Sequence, residues 1–151
     1  MTRITRLPPD SAASHAAPLR APGSARPAPT AALALAAAMA ASGISHFLAP
    51  RPYEQIVPHF LGSAGLWVRL SGGAEIGCAV LLLFRRTRSL GGWLSAGLLV
   101  AVFPANVQMA LDGGLAGRGF PLGSPVVAWL RLPLQVPLVA WARAVALRAR
   151  R

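Results

Sequence analysis

The chain has 151 residues, enough for one domain, and 54% of them are hydrophobic while only 13% are charged. Because a soluble domain usually carries about a quarter charged residues, this composition excludes an ordinary soluble protein. The net charge of +11 comes entirely from arginine, with no lysine. These arginines flank apolar stretches and form no nucleic-acid-binding motif, so we expect anionic lipid, and not nucleic acid, as their counter-charge.

The first thirty residues differ in composition from the rest of the chain. Residues 1–30 are rich in Pro, Ala, Ser and Arg and show no apolar periodicity. Such a segment cannot bury enough surface to order itself, so we predict a disordered tail. A cleaved secretory signal is disfavoured, because the segment before the first apolar run is very long and that run continues to Leu48.

Four apolar stretches follow, each long enough for a helix to cross the roughly 30 Å hydrocarbon core of a bilayer. Backbone polar groups cannot stay unpaired in lipid, so runs of this length predict helices. The sequence therefore predicts an all-α membrane protein with a four-helix transmembrane domain at 31–145 and a basic C-terminus at 146–151. The predicted spans are Ala31–Leu48, Trp67–Phe84, Leu90–Leu111 and Val126–Val145.

The arginines are distributed unequally between the two sides of these spans. Eleven of the fifteen lie in the tail, in the link between spans two and three, or at the C-terminus, and four lie on the other side. Because cytoplasmic loops carry the excess of positive charge, this bias predicts that both termini are cytoplasmic. The two sets are Arg3, Arg6, Arg20, Arg26, Arg85, Arg86, Arg88, Arg143, Arg148, Arg150 and Arg151, against Arg51, Arg69, Arg118 and Arg131.

The first outer loop, residues 49–66, mixes apolar and polar residues between Tyr53 and Leu61. This pattern predicts a short interfacial helix or a re-entrant segment at the outer leaflet.

Polar side chains inside the spans concentrate in the outer half. Helical rise from the cytoplasmic ends places Glu75 about 15 Å deep, Arg131 about 18 Å, and His46 and Asn106 about 24 Å. Charged groups at such depths are costly, so we expect Glu75 and Arg131 to face each other across the bundle. The cluster fits equally a binding or proton-handling site and a structural lock. Its members are His46, Glu75, Asn106, Arg131 and Gln135.

Other features bear on helix shape and chemistry. Pro104 should bend span three just before Asn106, and Pro133 and Pro137 should loosen span four. A GxxxG motif at Gly73 and Gly77 predicts a closely packed face from which Glu75 points away. The histidines have no metal-ligand spacing and no nucleophile pairs with a base, so neither a metal site nor a catalytic residue is predicted.

One short motif in each predicted span and one in the first outer loop resemble the DoxX-like family of small bacterial membrane proteins. The similar segments are Gly43–Phe47, Ile56–Pro58, Ser71–Glu75, Phe103–Met109 and Arg131–Gln135. The resemblance covers about residues 31–142 and implies a four-helix bundle in the bacterial plasma membrane. Some relatives are named as membrane subunits of a thiosulfate:quinone oxidoreductase, and others are linked to oxidative-stress complexes.

These observations favour a non-catalytic accessory or anchoring subunit that holds a quinone or lipid head group in the outward-facing polar cluster. A non-covalent quinone is the one cofactor considered, and its partners would be the bilayer and a redox-complex or other membrane protein. One alternative is a small proton-coupled transporter or channel. Another is a membrane enzyme acting on a lipid or quinone, with His46 and Glu75 as acid and base; their estimated depths, about 9 Å apart, count against it.

Overall fold

A computed structural model describes residues 29–150, all of whose regular structure is helical. Residues 1–28 of the predicted tail lie outside the described range, and a helix already begins at Pro29. Six α-helices and one 3-10 helix follow one another along the chain. They are α1 (Pro29–Leu48), α2 (Pro50–Glu54), the 3-10 helix (His59–Leu61), α3 (Ala64–Leu83), α4 (Arg88–Ala101), α5 (Phe103–Leu111) and α6 (Pro125–Arg148).

Four segments are long and apolar enough to cross a membrane: α1, α3, the consecutive pair α4–α5, and α6. The prediction of an all-helical bundle with four membrane spans is confirmed at this level. The helices extend up to three residues beyond the predicted span limits, and α6 reaches Arg148 instead of ending at Val145. The surface suits lipid, because large apolar side chains are exposed on every span, among them Leu33, Leu70, Leu94 and Leu130.

The spans pack antiparallel in two pairs. Helix α1 packs along α3, α4 packs along α6, and contact between α3 and α4 joins the pairs. Neither α1 nor α3 makes an extended contact with α5, which packs mainly on α6. We call the end that carries residues 49–63 and 112–124 the loop end, and the end with the α3–α4 turn the terminal end.

In both helix pairs the backbones approach closely at a glycine, but these glycines are not those of the predicted GxxxG motif. A Cβ on Gly43 would lie 2.6 Å from the carbonyl oxygen of Gly72, and one on Gly92 would lie 2.8 Å from the backbone of Ala146. At Gly73 and Gly77 an added Cβ meets no atom within 4 Å. Packing of the GxxxG motif against another helix of this bundle is therefore wrong for residues 29–150, since the adjacent Gly72 faces α1.

Two separate clusters of buried side chains hold the bundle together. Near the terminal end, α1, α3, α4 and α6 meet around a core of Ala32, Leu35, Ala36, Met39, Ala79, Leu82, Ala96, Ala142 and Val145. At the loop end a smaller cluster joins α5 and α6 through Met109, Ala110, Leu115 and Ala128, and Ile56 of the first loop packs against it. The first loop thus reaches across to the other helix pair.

The third span is broken at Val102, as the sequence predicts for Pro104. Helix α4 ends at Ala101 and α5 starts again at Phe103, with Pro104 in its first turn. Proline lacks the N–H that would pair with the carbonyl of Val100, so this helical hydrogen bond is missing at the break. Helix α6, by contrast, runs continuously through Pro133 and Pro137.

Candidate functional site

A cavity of about 720 Å³ lies between the two helix pairs, where α5 diverges from α1 and α3. All members of the predicted polar cluster line it, namely His46, Glu75, Asn106, Arg131 and Gln135. The sequence therefore identified a set of residues that share one space, although their pairing within it differs from expectation.

His46 and Glu75 face each other on the wall formed by α1 and α3. The tight contact between Gly43 and Gly72 brings these helices together one turn away, and the His46 Nδ1 and Glu75 Oε2 atoms lie 3.5 Å apart. Both residues are buried, with exposed fractions of 7% and 6%. Neither atom has a hydrogen-bond partner in residues 29–150. Buried polar atoms are nearly always paired, so this pair is an exception among the described polar groups.

The estimate that His46 and Glu75 differ in depth by about 9 Å is wrong. It assumed that α1 and α3 end at one level, whereas Gly43 lies beside Glu75. Continued by helical rise, this register puts Leu35 opposite Leu83 and His46 opposite Gly72, so α1 starts about six residues beyond the end of α3. His46 therefore lies about three residues, roughly 4.5 Å, from the level of Glu75, and the two side chains span that distance.

The first loop supplies an aromatic cover for this pair that the sequence did not reveal. Helix α2 turns Tyr53 back into the bundle, where its ring lies 3.9 Å from the His46 ring, centroid to centroid. The Tyr53 hydroxyl and Ser45 Oγ are 2.5 Å apart, and Ser45 also donates to the carbonyl of Ser42. From the sequence, Tyr53 is expected at the membrane interface. Helical periodicity does not extend through the Ala49–Pro50 turn, so it does not predict that Tyr53 lies beside His46.

Asn106 and Gln135 hold the broken third span against α6. Asn106 Nδ2 donates to Gln135 Oε1 at 3.0 Å, and Gln135 Nε2 donates to the carbonyl oxygen of Leu99. Leu99 lies in the last turn of α4, where carbonyls lose their regular helical partners. Both functional groups of the Gln135 amide are therefore used within the protein, so this half of the cluster acts as a structural lock.

Arg131 forms no ion pair with Glu75, so the expected pairing of these two charges is wrong, although both residues line the same cavity. His46–Glu75 is the only acid–base contact within 4 Å in residues 29–150. Arg131 Nη1 instead donates to the sulfur of Met109 at 3.3 Å, and thioether sulfur is a weak acceptor. Gln135 bonds to Leu99 of α4 at about the depth of Glu75 in the bundle. Arg131 precedes Gln135 by one turn of α6, so it lies roughly 6 Å nearer the loop end than Glu75.

Apolar side chains close the cavity above and below its polar groups. Leu35, Met39, Leu138 and Trp141 line the part toward the terminal end. Toward the loop end, Ile56, Val57, Pro58, Phe60 and Leu61 line it, and Ile56 also contacts the α5–α6 cluster. The first loop covers the loop end of the cavity, and beside it α5 makes no extended contact with α1 or α3 in the described chain.

The two polar walls offer different chemistry to a bound molecule. Glu75 Oε2 and His46 Nδ1 are unpartnered, whereas Arg131 presents guanidinium donors that no carboxylate neutralises in the described chain. Four Phe, Tyr or Trp side chains, those of Tyr53, Phe60, Trp67 and Trp141, line the same space. The arrangement can bind an amphiphile by its polar head and enclose an apolar or aromatic part.

Sequence comparison places the chain in a family without giving that family an activity. The model of the domain of unknown function DUF8561 matches residues 35–146, so the chain belongs to this family. No curated protein and no solved structure shows significant similarity to the chain.

Proposed function

We propose that this member of the DUF8561 family is a non-catalytic membrane protein that binds a lipid-soluble amphiphile, a quinone or a lipid head group, in the cavity between its helix pairs. The observation that carries the proposal is the lining of this cavity, in which buried His46 and Glu75 lie on one wall and Arg131, without a carboxylate partner in residues 29–150, lies on the other. Leaving polar groups unpaired in an apolar setting costs about 1–3 kcal/mol each, and a ligand with matching groups removes that cost.

The proposal includes the setting of the protein in the bacterial plasma membrane. The arginine bias supports cytoplasmic termini, which puts the cavity in the outer half of the bilayer. The segment containing α2 and the 3-10 helix would then lie at the outer interface. The motifs that resemble those of DoxX-like proteins support an accessory or anchoring role beside a redox-complex or other membrane protein.

A cavity-blocking pair of variants tests ligand binding. Ala38 lines the apolar part of the cavity, and its neighbour Ala37 is exposed outside it. We expect Ala38→Phe to lose a small molecule that copurifies with the wild type in mild detergent, measured by native mass spectrometry, while Ala37→Phe retains it. Equal retention of the small molecule by both variants would contradict its binding in the cavity.

The 3.5 Å contact between His46 and Glu75 also favours a second candidate, a membrane enzyme that uses them as base and acid on a lipid or quinone. The two candidates differ in what happens to the bound molecule. Incubation of the purified protein with extracted membrane lipids would leave every lipid mass unchanged for a binding protein. An enzyme would generate a new mass, and Glu75→Gln would abolish it.

A further inference from the structure

The polar groups that line the cavity carry information about the ligand itself. We propose that the cavity selects amphiphiles whose head group carries a hydrogen-bond donor, a hydroxyl or an ammonium, which binds Glu75 beside His46 while an acceptor on the same head group binds Arg131. This inference rests on the proposed function, since it specifies the ligand of the same cavity.

Glu75 creates the demand for a donor. A carboxylate accepts hydrogen bonds and donates none. Glu75 lines the cavity, and its neighbour His46, 3.5 Å away, forms no hydrogen bond with it, so a donor seated in the cavity can pair with the carboxylate. A ligand with only acceptors would leave the carboxylate unpaired and add repulsion between its own oxygen and that group.

The nearby protein donors bond to other acceptors. Gln135 donates to the carbonyl of Leu99, and Asn106 donates to Gln135. The Ser71 hydroxyl donates to the carbonyl of Val68, one turn back along α3. Within residues 29–150 Glu75 Oε2 has no donor, so the carboxylate can take one from the ligand.

Arg131 sets the opposite requirement at the other wall. Its guanidinium has five N–H donors, and the one protein acceptor that it contacts is the Met109 sulfur. A phosphate, phenolic or carbonyl oxygen is a much better acceptor than a thioether. A head group with a donor toward Glu75 and an acceptor toward Arg131 satisfies both walls at once.

Two pairs of molecules differ chiefly in the donor and so isolate the inference. A short-chain hydroquinone carries two hydroxyls that its quinone lacks, and phosphatidylethanolamine carries an ammonium donor that phosphatidylcholine lacks. Binding of each to the protein in nanodiscs can be followed by tryptophan fluorescence, because Trp67 and Trp141 line the cavity. The quinone pair is measured without oxygen, so that the hydroquinone stays reduced.

For at least one pair, we expect the donor-bearing member to bind the wild type about tenfold more tightly, the value of one charge-assisted hydrogen bond. The pair that shows the preference identifies the source of the ligand. Glu75→Gln introduces an amide donor and should remove or invert the preference. Glu54→Gln, the same change outside the cavity, should leave it unaltered.

Arg131→Gln serves as a second variant if Glu75→Gln fails to fold. It should weaken both members of the pair alike and leave their ratio unchanged, because the donor binds at the other wall. Equal binding of both members to the wild type, or tighter binding of the quinone or phosphatidylcholine, overturns the inference but leaves amphiphile binding intact. Failure of all four molecules to bind overturns the proposed function as well.

Discussion

At the scale of single residues, the polar cluster divides into two parts with different purposes. Gln135 and Asn106 complete their hydrogen bonds inside the protein and fix the break in the third span. His46 and Glu75 are buried like Gln135, but each has an atom without a hydrogen-bond partner in residues 29–150. Depth and polarity do not distinguish these cases in a sequence, because the difference lies in which atoms meet across helices.

We therefore predict that Gln135→Leu destabilises the protein by about 1–3 kcal/mol, since it leaves the Leu99 carbonyl and the Asn106 amide without their partner. Thermal unfolding in detergent, followed by circular dichroism, measures the change. Gln108→Leu is the matched control, because Gln108 bonds only to exposed Asp112 near the loop end and should alter stability by less than about 0.5 kcal/mol. Similar losses in both variants would argue against the lock.

At the scale of helices, the number and approximate limits of the spans follow from apolar length, but their rotation and register do not. Pro104 correctly predicts the break in the third span, because a missing N–H acts locally. The choice between Gly72 and Gly73 as the packed glycine is not local, since adjacent residues differ by about 100° around the helix. Either could have faced α1, and the GxxxG spacing favoured the wrong one.

Adjacent glycines in α3 test this packing directly. Gly72→Ala should lower the stability of the fold by about 1–3 kcal/mol, because its Cβ would lie 2.8 Å from His46 Cβ and 3.0 Å from the Gly43 carbonyl oxygen. Gly73→Ala meets no atom within 4 Å and should be neutral or stabilise the helix by up to about 1 kcal/mol. Denaturation of the two variants in the same detergent compares them, and equal stabilities would contradict the assigned α1–α3 interface.

At the scale of the whole molecule, two helix pairs joined near one end produce a cavity near the other. The terminal-end core holds all four spans together, whereas at the loop end α5 leaves α1 and α3 and only the first loop bridges the gap. The sequence predicts that polar side chains share one half of the bundle. It does not predict this space, because the space depends on the divergence of α5 and on the return of Tyr53 to His46.

Orientation in the membrane is also a whole-molecule prediction. With the single native cysteine replaced in Cys78→Ala, we expect Ala116→Cys at the loop end to react with an impermeant maleimide added to intact cells. Phe84→Cys, in the α3–α4 turn, should react only after the membrane is permeabilised. The reverse pattern would place the cavity in the inner half of the bilayer.

The central claim, that the cavity holds a specific lipid-soluble amphiphile, is tested most directly by photo-crosslinking in native membranes. A benzophenone amino acid at Leu138 lies in the cavity wall. At Leu130, about two turns along α6 toward the loop end, it lies on the exposed surface outside the cavity. We predict one discrete adduct mass at Leu138 and a mixture of bulk lipids at Leu130. The same mixture of bulk lipids at both positions would contradict the account.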